Sequence, residues 1–154
     1  MAKEFPYRVG VTWTGNDGTG TSGRTYGRDN EITVAGKPTL PGSAPPEFGG
    51  DPNAWPPEEL LVAAVAQCHM LTYLFVCSRN GVVVESYEDD AVGTLAVAGA
   101  DGGSFTEVVL RPRVTISAGD PDLATRLHDD AHAGCYVGSS VSFPVRVEPT
   151  TSVA

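Results

Sequence analysis

Three cysteines and three histidines are the side chains of this sequence whose types could carry covalent or metal chemistry. Cys68 lies midway along the longest apolar stretch, PEELLVAAVAQCHMLTYLFVCSR, with His69 directly after it and Cys77 further along. Cys135 stands far down the chain, behind His128 and His132. A thiol acts as nucleophile or metal ligand only as the thiolate, and apolar burial opposes that ionisation. In a helix beginning at Pro57, Cys68 falls about three turns in, beyond the reach of the helix dipole. A reactive Cys68 therefore needs a cation brought from elsewhere, and arginine suits because it stays charged when buried. Composition by itself points the other way, to a small residue packed in a core.

The spacing of His128, His132 and Cys135, i, i+4 and i+7, puts all three on one face of a helix. Joined by Cys68, they would form a four-ligand zinc or transition-metal site, the metal-binding alternative. Asp129 and Asp130 mark an exposed side of the same helix. Cys77 is half a turn out of phase with Cys68, which assigns it a structural role. His69 faces a different direction from its neighbour and reads as a packing or hydrogen-bonding residue.

The elements that must position these groups follow from local patterns. Pro56-Pro57 with Glu58-Glu59 starts a helix and Asn80-Gly81 ends it. Its apolar residues leave almost no polar face, so it is expected to be buried on most sides. Asp120-Pro121 opens a second helix, with the aspartate as N-cap. Strands are expected over Arg8 to Thr14, Arg24 to Tyr26 and Glu31 to Val34. Further strands are expected over Val82 to Val84, Tyr87 to Val97, Phe105 to Ser117 and Val141 to Val147. Gly99 to Ser104 is a hairpin turn, and Pro112 calls for an edge or a bulge. Lys37 to Pro57 is a long Pro- and Gly-rich connection, of the kind that is functional or covers something. The pattern is α+β, with antiparallel sheets around a long buried helix that carries a cysteine.

Size and charge restrict the function classes. A chain of 154 residues suits one domain, 1–154, with a real core. A net charge of −9 repels phosphate backbones and anionic membranes, which argues against nucleic-acid and membrane partners. The N-terminus carries no apolar run of signal-peptide length, so the chain reads as cytoplasmic. In that compartment three cysteines point to redox chemistry, metal binding or packing rather than a disulfide framework.

PEELLVAAVAQCHMLTYL followed by AHAGCYVGSSVSFPV resembles the two cysteine motifs of the family of osmotically inducible protein C and organic hydroperoxide resistance protein (OsmC/Ohr). The likeness extends to the strand order and to FTEVVLRPRVTI, and so covers most of the chain. It implies an OsmC-like fold, an intertwined homodimer, and a thiol-dependent peroxidase that reduces organic hydroperoxides without a bound cofactor. Cys68 would become a sulfenic acid, Cys135 would resolve it as a disulfide, and an external thiol or dithiol would reduce that disulfide.

The family also uses an arginine held by a glutamate, and Glu58 matches the glutamate. Some members carry the arginine just after a phenylalanine in the loop before the helix. Here Gly49 follows Phe48, and no arginine occurs from Lys37 to Pro57. Other members carry it in the first hairpin, where Arg24 and Arg28 are the candidates and Arg28 is assigned. Glu58 and Cys68 are separated by about 15 Å along a straight helix and roughly 80° around it, so Glu58 is expected to serve the partner's Cys68. Trp13, Phe48, Trp55, Tyr73 and Phe75 would line an apolar mouth or fill the dimer core. The remaining alternative is a protein of this fold that binds a small apolar ligand with weak or no peroxidase activity.

Overall fold

The structure, a computed structural model, describes residues 1–22, 25–99 and 102–154. Arg24, part of the expected second strand, and the tip of the Gly99–Ser104 turn lie outside the described residues. The chain divides into two compact units, Met1–Leu60 and Leu61–Ala154.

The first unit holds an antiparallel sheet of β1 (Gly10–Trp13), β2 (Asn30–Thr33) and β3 (Leu40–Gly42), in that order. Thr25 and Tyr26, expected as strand, are irregular. The ladder partner of β1 is β2, and the Trp13 indole N–H donates to the Gly27 carbonyl at 2.8 Å, drawing that arm off the sheet. The long Pro/Gly connection contains β3 and a single 3-10 turn, Pro46–Phe48. It is pinned by buried Ser43, whose hydroxyl donates to Asp29 Oδ1 at 3.0 Å and accepts the Asp51 N–H at 3.0 Å.

In the second unit the strands form two three-stranded sheets. β4 (Val83–Asp89) and β9 (Thr150–Val153) flank β7 (Pro112–Ala118). β5 (Val92–Val97) and β8 (Val145–Val147) flank β6 (Gly103–Leu110). The sequence from Phe105 to Ser117, expected as one strand, breaks at Arg111 and changes sheets there. The reason lies in the ladder: Pro112 pairs opposite Asp89 as the first residue of β7, where its missing N–H costs no bond. The Arg111 N–H turns instead to Asp89 Oδ1 at 2.7 Å.

β8 and β9 follow the same bend, parallel to β6 and β7 respectively. The Glu148 N–H donates to the Leu110 carbonyl, and Arg111 Nε meets Glu148 Oε2 at 3.1 Å. The sheets are therefore mixed rather than purely antiparallel. The closing strand is also shorter than the expected Val141 to Val147, because Gly138–Ser140 form a 3-10 turn before it.

Helix α1 spans Pro57–Arg79 and α2 spans Pro121–Gly134, the latter capped by Asp120, whose side chain accepts the Asp122 N–H. One core joins Tyr73 and Cys77 of α1 to Ala124, Leu127 and Ala131 of α2 over Val114 and Ile116 of β7. A second joins Val65 to Val108 and Leu110 of β6, with Phe143 and Val145 packed beside them.

Burial of α1 is narrower than expected. Val65, His69, Tyr73 and Cys77, one i, i+4 line, are fully buried, whereas Leu71 and Phe75 are 57% and 63% exposed. One face suffices for this core, and the other apolar lines stay uncovered within a single chain. α1 is long and apolar enough to cross a membrane by length and composition, but its buried line is committed to the cores just described.

Candidate active site

Cys68 and Cys135 come together where the middle of α1 meets the C-terminal end of α2. Gly134 ends α2, and Cys135 has left helical geometry at φ −76° and ψ 105°. Its thiol neighbours Cys68, which acts on its ionisation. The turn that follows directs consecutive backbone donors at the two sulfurs. The Val137 N–H donates to Cys68 Sγ at 3.5 Å, and the Gly138 N–H donates to Cys135 Sγ at 3.3 Å. The turn is closed by Ser139, whose N–H and hydroxyl both donate to the Cys135 carbonyl.

The two thiols differ in access. Cys68 is partly exposed, whereas Cys135 is 2% exposed. Burial pushes the Cys135 thiol up to about 11, and the neighbouring Cys68 adds to the rise, against the Gly138 N–H, which lowers it. Cys135 thus keeps its proton at neutral pH. All three cysteines are free thiols. Cys68 is thus the partly exposed member of the pair and Cys135 the buried one.

Cys77 takes no part. It is buried in the core and hydrogen-bonded to the Tyr73 hydroxyl, and burial raises its thiol above the ordinary range. Tyr73 also donates to the Ala124 carbonyl at 3.1 Å. It is core, not the lining of a mouth, which corrects one of the five aromatic assignments. Trp13, Phe48, Trp55 and Phe75 are all exposed.

The histidine–cysteine metal site does not form. His128 is buried against His69, with His69 Nε2 3.0 Å from His128 Nδ1, while His132 is exposed. Cys135 leaves the shared face because α2 ends one residue before it. Among the described residues, no three His, Cys, Asp or Glu side chains are grouped to hold a metal.

The His69–His128 pair is the feature that sequence reasoning missed as a pair. The two rings are tilted by only 11° and meet edge to edge through the N···N contact. Tyr73 covers His128 face to face at 3.8 Å. The outer nitrogens, His69 Nδ1 and His128 Nε2, have no partner. Burial pushes His69 down to about 4, with the nearby charge of His132 a smaller contributor. Burial and the neighbouring His69 push His128 down to about 3.

In the first unit, Arg28 stacks over the Tyr26 ring at 4.7 Å and donates to the Tyr26 carbonyl at 3.0 Å. Its guanidinium lies against Gly49. A Cβ built there would meet Arg28 Nη1 at 3.2 Å and Cζ at 3.4 Å, and Gly49 holds φ +80°. Arg28 shares an open cleft with Tyr26, Glu47 and Phe48. Glu58 Oε2 is buried without a hydrogen-bond partner among the described residues, an expensive state for a carboxylate oxygen.

Comparison with known proteins matches residues 49–150 to the model of the OsmC-like protein family. The chain is similar to an OsmC-like protein of unknown function from Vibrio cholerae, with 31% identity, a TM-score of 0.85, and coverage of 96% of this chain and 100% of that one. It is 27% identical over 117 residues to the uncharacterized protein YmaD of Bacillus subtilis, covering 72% of this chain and 76% of YmaD. An organic hydroperoxide resistance protein of Legionella pneumophila shares the fold, with a TM-score of 0.64 at 21% identity over 97% of this chain and 99% of that one.

Proposed function

The chain belongs to the OsmC-like family, and from that premise we propose that it is a thiol-dependent peroxidase acting on organic hydroperoxides in oxidative-stress defence. The observation that carries this reading is the asymmetric thiol pair, a reachable Cys68 in contact with a buried, protonated Cys135. In the first step the Cys68 thiolate attacks a peroxide oxygen. The O–O bond breaks, and the alkoxide takes a proton to leave as alcohol, with sulfenic acid left on Cys68. The Cys135 sulfur then attacks the Cys68 sulfur. The S–S bond forms as the S–O bond breaks, and hydroxide departs with the Cys135 proton as water. An external thiol attacks Cys68, the accessible sulfur, which releases Cys135 and leaves a mixed disulfide; a second thiol, or the other sulfur of a dithiol, then attacks the external sulfur, frees Cys68 and leaves as a disulfide.

Reduced protein treated with stoichiometric cumene hydroperoxide should lose two of its three thiols. Non-reducing peptide mapping should then find Cys68 joined to Cys135. Retention of all three thiols would overturn the reading.

Arg28 is the proposed activating cation and Glu58 the carboxylate that holds it. Some family members carry the arginine directly after the phenylalanine of this loop. Here the Arg28 guanidinium fills the space where a side chain on Gly49, the residue after Phe48, would begin. The unpaired oxygen of Glu58 is the kind of group a guanidinium satisfies. Arg28→Gln should slow single-turnover reaction of Cys68 with hydroperoxide by about ten- to a hundredfold, the worth of one charge-assisted hydrogen bond. Arg28→Lys should recover part of the loss, since it restores charge without the planar fork. A wild-type rate for Arg28→Gln would remove this residue from the site.

We place the protein in the cytoplasm as a homodimer. The exposed Leu71 and Phe75 of α1, together with Val9 and Val11 around β1, are apolar surface that a second copy would cover. In that assembly Glu58 would serve the partner's Cys68.

A further inference from the structure

The turn from Cys135 to Ser140 holds more than the resolving cysteine. Its backbone presents two successive N–H groups, each aimed at a different sulfur of the pair, Val137 to Cys68 and Gly138 to Cys135. We infer that this turn is a main-chain anion cradle, in which the Val137 amide stabilises the Cys68 thiolate and the Gly138 amide stabilises Cys135 when it bears the charge. The inference rests on the proposed peroxidase reading for its purpose, though not for its test.

Two observations carry it. First, the Val137 N–H has no carbonyl partner among the described residues; its bond goes to Cys68 Sγ. A backbone donor released from secondary structure and directed at a sulfur is a fixed dipole that needs no reorganisation when charge develops. Second, the approach at the other sulfur depends on glycine. A Cβ at Gly138 would stand 3.2 Å from Cys135 Sγ and 3.6 Å from Cys135 Cβ, tighter than ordinary contact at the sulfur.

The chemistry uses this arrangement in each half of the cycle. The form of Cys68 that attacks peroxide is its thiolate, opposite the Val137 N–H. When an external thiolate later attacks Cys68 in the disulfide, the S–S bond breaks and Cys135 leaves with the electron pair. The Gly138 N–H then faces the new thiolate until a proton arrives. The cradle thus follows the negative charge from one sulfur to the other, and it acts alongside whatever side-chain cation the site employs.

Val137 permits a test confined to one hydrogen. Its φ of −70° matches that of proline, so Val137→Pro deletes the N–H and keeps the local backbone angle. Val137→Ala keeps the N–H and trims the same partly buried side chain. Alkylation of Cys68 by iodoacetamide at pH 7, read by peptide mass mapping, should be about tenfold slower in the proline variant than in the alanine variant. Equal rates in two folded variants would overturn the cradle.

A second measurement needs no substitution in the turn. In the folded full-length protein, the Val137 and Gly138 amide proton resonances should move when Cys68 ionises, and the movement at Val137 should vanish in Cys68→Ser. A Val137 amide indifferent to the state of Cys68 would also overturn the proposal, and this decides the matter if the proline variant fails to fold. Neither readout involves peroxide. A protein inert to hydroperoxide but with slowed alkylation in Val137→Pro would sink the peroxidase reading and leave the cradle standing.

Discussion

Cys68→Ser should abolish hydroperoxide consumption, with a loss of roughly a thousandfold or more in the rate at saturating dithiol, because an alcohol cannot replace the thiolate as nucleophile. The neighbouring variants make the result diagnostic. Cys135→Ser should still consume one equivalent of peroxide per chain, because the reachable sulfur is untouched. Its product should be a sulfenic acid on Cys68 that persists and, under excess peroxide, advances to the sulfinic acid. Turnover should then stall, since no buried second sulfur converts the sulfenic acid to a disulfide. Cys77→Ala should turn over normally, because Cys77 is buried beside Tyr73 and takes no part in the thiol pair. The measurement is peroxide loss over time, with mass analysis of the three cysteine peptides. A Cys68→Ser protein with residual turnover near wild type would move the chemistry to another group.

Much of this site was legible in the sequence because its parts are written as residue types. The bounds of α1 were readable because Pro57 and Asn80-Gly81 each act on their own backbone, and α2 was readable from Asp120-Pro121 for the same reason. Cys68 and Cys135 could be paired from two motifs read together. Pro112 signalled a disturbance between Phe105 and Ser117, but not a change of sheet; the tertiary partner Asp89, which accepts the Arg111 N–H, goes with the turn of the chain there. The cradle was invisible in principle, since a backbone N–H carries no residue-type signal; Gly138 was its only trace. The His69–His128 contact joins residues 59 apart in sequence, and no local pattern reports it. Its one hint was negative, since His128 shared a helical face with Cys135 and so invited a metal reading that the end of α2 undoes.

That same histidine pair makes acid the sharpest environmental lever on the fold. Two neutral imidazoles joined by one N–H···N bond contain one further N–H and one further bare nitrogen, and these are the two unpartnered outer atoms. Either tautomer leaves the same account. Charging the pair would place a buried cation against the Tyr73 ring, and the nearby charge of exposed His132 repels it. The folded values, about 4 for His69 and about 3 for His128, lie below the unfolded value near 6.5. The unfolded chain therefore binds protons first as pH falls. Stability from this source is complete above about pH 6.5 and is lost on descending toward pH 4 and then 3, at up to about 1.4 kcal/mol per pH unit for each ring. At pH 5 the combined loss is at most about 4 kcal/mol, a large part of a typical domain's stability.

Asp89, raised by burial, opposes this lower down, where a folded carboxyl binds its proton before an unfolded one. Urea unfolding of the wild type should therefore show a midpoint that drops steeply between pH 7 and pH 5. His69→Leu combined with His128→Leu removes both partners and both orphaned nitrogens, which need cost little at pH 7. The double variant should hold a nearly flat midpoint across the same interval. Either single variant should be less stable than both at pH 7, by about 1–3 kcal/mol, because it strands the remaining ring's inner nitrogen. Parallel pH profiles for the wild type and the double variant would show that the pair is not the titrating element.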